Sequence, residues 1–246
     1  MNTPLRQFLN PRQNQLLAAL SASDRERLAP DLELVHLQRG QVLCDAGATP
    51  THVYFPITAI VSLLHITLSG GTSEIAVVGN EGVVGMSLFS AGGVELEQTR
   101  VQTAGASYRL GARVAKEETS RSGQILATLL NYAHALMAQM AQTAIYTKHH
   151  SLEQQLCRRL LMGLDRLAGD EMEMTHEVLG DLLGVRRESV TNIALKLQQA
   201  GVIRYSRGHI AVLDRQRLEQ HASGDFQQVH IALRAPRVAA VMQCAA

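Results

Sequence analysis

The sequence lacks several features that would identify large classes of protein. It has no tryptophan, aromatic residues make up 4% of its 246 residues, and it has only three cysteines: Cys44, Cys157 and Cys244. No apolar run approaches the roughly 18 residues that a membrane-spanning helix needs. The first fifteen residues lack the apolar core of a secretory signal peptide. We therefore expect a cytoplasmic protein with no membrane partner.

The same scarcity argues against most catalytic and cofactor chemistry. Three scattered cysteines form no C-x-x-C pair and cannot alone supply the four thiolates of an iron–sulfur cluster. The histidines occur singly in the sequence or next to one another, and adjacent side chains on a helix point to different faces. We therefore expect neither haem nor a metal to bind them. No nucleophile elbow, phosphate-cradling glycine loop or zinc-ligand spacing is present, so we expect no enzyme. The few aromatic residues also disfavour a single-strand binder, which needs stacking platforms.

The net charge of +1 conceals a strong segregation of charge along the chain. Residues 184–217 carry seven basic side chains against Glu188 and Asp214, whereas residues 151–183 carry three basic and seven acidic ones. Such asymmetry makes nucleic acid a candidate partner. A solvated basic face without a ligand is the alternative.

The first half of the chain reads as a β-rich domain. A helical lead occupies residues 11–20, and Ser23 with a glutamate three residues on predicts a capped second helix. Short β-branched runs separated by glycine turns then predict about eight strands over residues 32–113, including one over residues 82–89. A sandwich, jelly roll or barrel is expected. We place the domain boundaries at residues 1–120, 121–150 and 151–221, with a tail at 222–246 that has no clear pattern.

A long helix is predicted between the two halves because no glycine or proline occurs from residue 124 to 151. Its apolar positions step by three and four, which is typical of a coiled-coil seam: Leu126, Leu129, Leu130, Ala133, Leu136, Met137 and Met140. The helix either packs only on its own sandwich or buries a second face against another copy. We favour a parallel homodimer, with a hinge at residues 147–150 before a new helix capped by Ser151 and Gln154.

Residues 175–194 read THEVLGDLLGVRRESVTNIA, the pattern of a helix-turn-helix. Thr175 suits an N-cap, and Gly184 ends the first helix with a residue that tolerates positive φ. The second helix exposes basic and polar side chains and is followed by AGVIRYSRGHIAVLD, which predicts a basic β-wing. An ordinary helical hairpin is the alternative, but the wing favours a DNA-binding unit.

These segments resemble the cyclic-AMP receptor protein/fumarate–nitrate regulator (Crp/Fnr) family of bacterial transcription factors. The similarity covers about residues 15–220 and rests on LGVRRESVTNIALKLQQAGVIRYSRGHIAVLD at the winged helix. It rests also on LQRGQVLCDAG, HVYFPITAIVSLL and VGNEGVVGMSLF in the β-rich part. It implies an α+β fold: an N-terminal double-stranded β-helix (a cyclic-nucleotide-binding-like jelly roll), a long dimerisation helix and a C-terminal winged helix-turn-helix. It also implies a homodimer on a near-palindromic stretch of double-stranded DNA and a contact with RNA polymerase.

The resemblance places an Arg-Glu pair that reads bases at Arg187 and Glu188. Arginine pairs with guanine and glutamate accepts from cytosine, although an intrahelical ion pair is the alternative for Glu188. Asn192 stands where the family often has arginine, so adenine becomes a candidate base. The full set of candidate DNA-binding residues is Arg186, Arg187, Glu188, Ser189, Thr191, Asn192, Lys196, Thr175 and Arg207.

The family's nucleotide-binding residues are poorly matched in the β-rich domain. Alignment gives the candidate effector pocket as Gly82, Gly85, Met86, Glu97, Gln98, Thr99 and Arg100. Met86 replaces the ribose-binding glutamate, and Glu97-Gln98 replaces the arginine-serine pair that holds the phosphate, so we expect no cyclic-AMP binding. We expect an unidentified signal at this domain. The alternative function is a ligand-binding module whose degenerate winged helix contacts protein.

Overall fold

The computed structural model describes residues 9–68, 70–167 and 169–223. Two short helices open it: α1 (Gln15–Ala19) and α2 (Ala22–Leu28). The N-cap of α2 is Ser21, whose hydroxyl accepts a bond from the Asp24 N–H, so the prediction of Ser23 as the cap is wrong. Buried Asn14 caps α1, and its amide donates to the carbonyls of Pro56 and Gly82, which ties the helical lead to the β-rich domain.

Seven strands build the N-terminal domain, which has the predicted β-rich fold. They are β1 (Glu33–Leu37), β2 (Val42–Cys44), β3 (His52–Pro56), β4 (Ile60–Ile66), β5 (Thr72–Val78), β6 (Gln98–Thr103) and β7 (Gly105–Gly111). They form two antiparallel sheets, one in the order β1-β7-β3 and the other in the order β2-β6-β4-β5. Apolar side chains from the inner faces fill the space between the sheets, as expected for packed sheets.

One strand prediction for this domain is wrong, and one helix was not predicted. Residues 82–89 form no strand: they contribute one bridge between Tyr54 and Val84, followed by a 3-10 turn at Met86–Phe89. Gly85 turns the chain there with φ of 95°, a conformation that glycine adopts easily. The helix α3 (Ala112–Arg121) was not predicted, because a largely charged segment that buries only Ala115 and Glu118 shows little apolar period.

The long helix α4 runs over Gly123–His149 and has two different faces. One face packs into the core between the sheets through Ile125, Leu129, Tyr132 and Leu136. The other leaves large apolar side chains in solvent, which is unusual for a helix that packs against nothing else. The apolar seam is therefore divided: one face packs on the protein's own sheets, and burial of the other face against a second copy stays a prediction.

The C-terminal domain follows α4 after a break at His150. It consists of α5 (Leu152–Leu164), β8 (Glu171–Glu173), α6 (His176–Leu183), α7 (Arg187–Gln199), β9 (Ile203–Ser206), β10 (His209–Val212) and α8 (Arg215–His221). The predicted capping box of Ser151 and Gln154 opens α5. Strand β8, too short to show a pattern, completes a small sheet in the order β8-β10-β9. Of the predicted tail, Ala222 is buried on this domain, and residues 224–246 lie outside the described residues.

The two domains share a hydrophobic core. Strand β4 alternates as expected for a strand, but both its faces are covered. Val61 and Leu63 point between the sheets, whereas Ile60 and Leu64 pack against side chains of the C-terminal domain such as Leu160. The helix-turn-helix is thus held against the hairpin of β4 and β5. Among the described helices, none is long and apolar enough to cross a membrane.

Candidate DNA-binding surface and sensor cavity

Helices α6 and α7 meet through a tight turn that depends on two glycines. Gly184 ends α6 with φ of 67°, as the sequence predicted. A Cβ on Gly180 would lie 2.8 Å from the carbonyl oxygen of Val185, so only glycine lets the chain cross so closely. Val190, Ala194 and Leu197 bury one side of α7. The opposite side of α7 therefore faces solvent.

The free side of α7 carries most of the predicted DNA-binding residues. Those that are exposed are Arg186, Arg187, Glu188, Asn192 and Lys196; Ser189 is half-buried. Within the described residues, none of these charged side chains has an ion-pair partner, and this includes Glu188, for which an intrahelical pair was the alternative. The N-cap of α7, Arg186, makes no side-chain capping bond. The first N–H groups of α7 are therefore open to an anion such as a DNA phosphate.

The wing is a tight hairpin between β9 and β10. Ser206 pairs with His209, so Arg207 and Gly208 form a two-residue turn with φ of 49° and 84°. Both positive φ values suit the turn type that two-residue hairpins favour. Arg207 therefore projects at the tip of the wing, exposed and without an ion-pair partner in the described part of the chain.

Two of the predicted DNA-binding side chains have internal partners. The hydroxyl of Thr175 accepts the capping bond from the Val178 N–H of α6. The hydroxyl of Thr191 donates to the Arg187 carbonyl and lies 3.0 Å from Nδ1 of His176. The Thr175 bond caps α6, whereas the Thr191 contact joins α7 to α6; the DNA contacts predicted for both threonines stay predictions.

His176 is a residue of this surface that the sequence pattern did not reveal. Its ring stacks on Tyr205 of β9 at 3.8 Å between centroids, while its Nδ1 faces Thr191 of α7. Burial, with the nearby charge of Arg187, lowers the pKa of His176. The neutral ring thus joins the recognition helix to the wing.

Residues 154–221 match the family model of the Crp-like helix-turn-helix domain. The C-terminal domain is a Crp-like helix-turn-helix domain. The match confirms, for this domain, the resemblance to the Crp/Fnr family seen in the sequence. Among curated protein sequences, none is significantly similar to this chain.

Solved structures share the fold at low sequence identity. FixK2 from Bradyrhizobium japonicum superposes with a TM-score of 0.65 at 15% identity, over 78% of this chain and 98% of its own. A Crp/Fnr-family transcriptional regulator from Thermus thermophilus gives 0.63 at 20% identity, over 77% and 98%. The c-di-GMP responsive regulator CLP from Xanthomonas campestris gives 0.62 at 16% identity, over 78% and 99%. These likenesses show that the described residues, from the N-terminal β-rich domain to the Crp-like domain, have a fold of the Crp/Fnr type.

The structure divides the seven predicted dimer-helix residues between the two faces of α4. Leu126, Leu130 and Met137 are exposed in one stripe, and Ala133 lies half-buried between them. Leu129 and Leu136 are buried against the protein's own sheets, and Met140 packs on the same core. A stripe of exposed leucine and methionine on a helix is the surface that a second helix would cover.

The N-terminal β-rich domain contains a cavity of about 320 Å³ between its sheets and α4. We name the domain and its cavity the sensor domain and the sensor cavity, after the role that the family resemblance implies. Of the seven predicted effector residues, only Gly85, Met86 and Glu97 line it. Gly82 instead packs under Tyr132. The remaining three have partners elsewhere: Gln98 bonds Asp45 and Arg100, and the Thr99 hydroxyl donates to the Cys44 carbonyl. The structure therefore brings three of the seven together in this cavity, and the effector role of all seven stays a prediction.

The cavity wall is mostly apolar, and its polar side chains are two carboxylates and the hydroxyls of Ser87 and Ser90. Leu63, Ile75, Leu136 and Met140 are among the apolar side chains, and none of its lining residues is basic. Glu95, which the sequence did not single out, also lines it; burial, with the charge of Glu97 nearby, raises its pKa. A phosphate would meet negative charge and no guanidinium or ammonium group here.

Proposed function

We propose that the chain acts as a homodimer that binds a near-palindromic DNA operator through α7 and the wing. The observation that carries the proposal is a set of exposed cations that have no ion-pair partner in the described part of the chain: Arg186, Arg187, Lys196 and Arg207. Other arginines of the same basic segment are already paired, such as Arg215 with Asp165. Cations that have no internal partner are free to neutralise phosphates and to reach base edges. A contact with RNA polymerase stays a prediction.

The exposed stripe on α4 supports the dimer. Leu126, Leu130 and Met137 follow a spacing of four and seven residues, which keeps them on one side of a helix. Two copies related by a two-fold axis would bury this stripe and present two α7 helices. The half-sites are then expected about one DNA turn apart, or roughly 34 Å.

Fluorescence anisotropy with operator fragments selected from a random pool tests DNA binding. Arg187→Ala should reduce the difference in binding free energy between sites by about 1–3 kcal/mol. Arg207→Ala should weaken binding to all DNA sequences alike, and it should lower the slope of log affinity against log salt concentration by about one. The matched control is Arg113→Ala, since Arg113 is an exposed arginine on α3, far along the chain from α7. Equal effects of R187A and R113A, or binding that is indifferent to salt, would refute the proposal.

Sedimentation velocity tests the dimer. Leu130→Glu places a charge in the middle of the stripe and should give a monomer at concentrations where the parent chain is a dimer. Leu96→Glu is the control, because Leu96 is also a highly exposed leucine but lies outside α4. Dissociation by both variants, or by neither, would mean that another surface holds the copies together.

We also propose that the sensor cavity takes an apolar effector and not a cyclic nucleotide. The apolar wall and the carboxylates of Glu95 and Glu97 support this choice. Thermal melting of the full chain with increasing cyclic AMP or cyclic GMP should show no shift. A saturable rise in melting temperature would contradict the proposal if it were lost in Met140→Glu, which alters the cavity wall, but kept in Leu130→Glu, which alters the exposed stripe of α4. Such a result would mean that the nucleotide binds in the cavity.

A further inference from the structure

A second, smaller cavity lies where the sensor domain, α4 and the Crp-like domain meet. It measures about 40 Å³, and β5, α4, α5 and α6 form its walls; we name it the junction cavity. The lining residues that matter here are Glu74, Tyr146, Gln155, Arg158 and Arg159. Its volume is enough for a few waters or for the head of one small oxyanion.

The charges around the junction cavity do not balance. Glu74 is already engaged: Arg159 Nε lies 2.6 Å from its Oε1 and Nη2 lies 3.0 Å from its Oε2, while the Ser62 hydroxyl donates to the same carboxylate. Arg166, a buried arginine just after the end of α5, is paired with Glu81. Arg158 differs from these two arginines, because no carboxylate among the described residues forms an ion pair with it.

Arg158 is a buried cation with unmet donors. The residue is 6% exposed, and its Nε and Nη2 atoms have no hydrogen-bond acceptor among the residues that the structure describes. Its guanidinium lies 4.5 Å from the ring centroid of Tyr146, a contact that satisfies charge in part but accepts neither N–H. Burial, with Arg159 adding to it, lowers the pKa of Arg158 to about 10, so the group remains charged at neutral pH. A buried charge without a partner is strongly unfavourable, which makes a missing counter-ion the simplest explanation.

The two unmet donors have a specific geometry. Nε and Nη2 form one edge of the guanidinium, with two parallel N–H bonds that match the two oxygens of a carboxylate or phosphate. Other polar groups of the wall do not compete for such an anion: Gln155, for example, donates its amide to the carbonyls of Thr147 and His150. We propose that the junction cavity binds a small oxyanion, a phosphate or a carboxylate, through Arg158.

The site differs from the sensor cavity in place and in charge. It is formed partly by α5 and α6 of the Crp-like domain, whereas the sensor cavity is lined by the β-rich domain and α4. An anion held there would touch both domains and would stabilise their docked arrangement. The proposal does not depend on DNA binding, because its test measures the anion directly.

Thermal melting of the full chain in a phosphate-free, chloride buffer at constant ionic strength provides the test. Inorganic phosphate and acetate are titrated separately, so that the two arms distinguish a phosphate site from a carboxylate site. We expect a saturable rise in melting temperature with at least one of them. Because phosphate also stabilises proteins by exclusion from their surface, the decisive quantity is the difference between variants.

Arg158→Met should remove the saturable rise, and Arg158→Lys, which keeps the charge but not the paired N–H edge, should weaken binding by about ten-fold to a hundred-fold. The matched control is Arg113→Met, an exposed arginine outside the cavity. If R158M does not fold, calorimetric titration of R158K against the parent chain gives the same comparison. An unchanged response in R158M or R158K overturns the proposal.

A third variant tests an internal counter-ion. Asp225 follows two residues after Ser223, whose hydroxyl lies 3.2 Å from that of Tyr146. Anion binding that is absent from the parent chain but appears in Asp225→Asn would overturn the free-anion proposal in favour of an internal carboxylate. Equal anion binding in the parent chain and in D225N supports the proposal.

Discussion

Replacing Glu74 by alanine tests how firmly the Crp-like domain is docked on the sensor domain. Glu74 of β5 and Arg159 of α5 form an ion pair in which each side chain is only 6% exposed. Glu74→Ala leaves Arg159 buried without its carboxylate, next to Arg158, which has no acidic partner in the described structure either. Breaking a buried pair in this way costs about 3–5 kcal/mol. For a chain of this size, each kcal/mol lowers the melting temperature by about 2–4 °C, so a fall of about 6–20 °C is expected.

Urea unfolding followed by circular dichroism measures the free-energy change. The matched control is Glu33→Ala, because Glu33 pairs with Arg109 on the surface. This variant should lower the free energy of unfolding by only about 0.2–1 kcal/mol. The double variant Glu74→Met with Arg159→Met removes both charges and should recover most of the loss. A cost for E74A no larger than that of E33A would show that water reaches the pair, and that the two domains are not packed together in solution.

Three further outcomes follow from buried groups elsewhere. Burial and Glu97 raise the pKa of Glu95, so the folded state binds that proton more tightly than the unfolded state and stability falls as pH rises through the raised pKa. Glu95→Gln should therefore stabilise the chain in urea unfolding at pH 7, with the gain vanishing below the usual pKa of 4.5. Cys157 is fully buried and its pKa is raised to about 12, so mass spectrometry after thiol labelling should find it unmodified until urea unfolds the chain. Gly82→Ala should lower the free energy of unfolding by about 1–3 kcal/mol, since the new Cβ would overlap the Tyr132 hydroxyl oxygen.

The parts of the fold that were predicted from sequence are those with a strong local signal. The turn between α6 and α7 has Gly184 at its left-handed position, and the wing has two short β-branched runs around Gly208. The capping box formed by Ser151 and Gln154 marks the start of α5. Each of these signals involves residues within a few positions of one another, so local propensity alone decides the structure.

The features that escaped prediction depend on distant partners. The seam of α4 contains apolar residues on two sides, and periodicity alone does not show that Leu129 faces the sheets while Leu130 faces solvent. The pair of Glu74 and Arg159 spans 85 positions in the chain. The effector residues were placed by alignment, which assigned Arg100 to the pocket, whereas the structure turns its guanidinium towards Gln98. Tertiary packing, not local pattern, decides all three.

Although the net charge of the chain is only +1, two kinds of arginine have no ion-pair partner among the described residues. Those at the surface, such as Arg187 and Arg207, remain hydrated and lose little free energy while no ligand is present, which suits reversible contact with DNA. Arg158 is buried, so its charge destabilises the chain whenever no anion is bound. The acidic residues near α5, such as Glu74 and Glu81, are engaged in holding the domains together and do not neutralise either kind. The chain as a whole is nearly neutral, but the DNA-binding surface and the junction cavity are both locally positive. This is because the carboxylates that balance the total charge lie elsewhere.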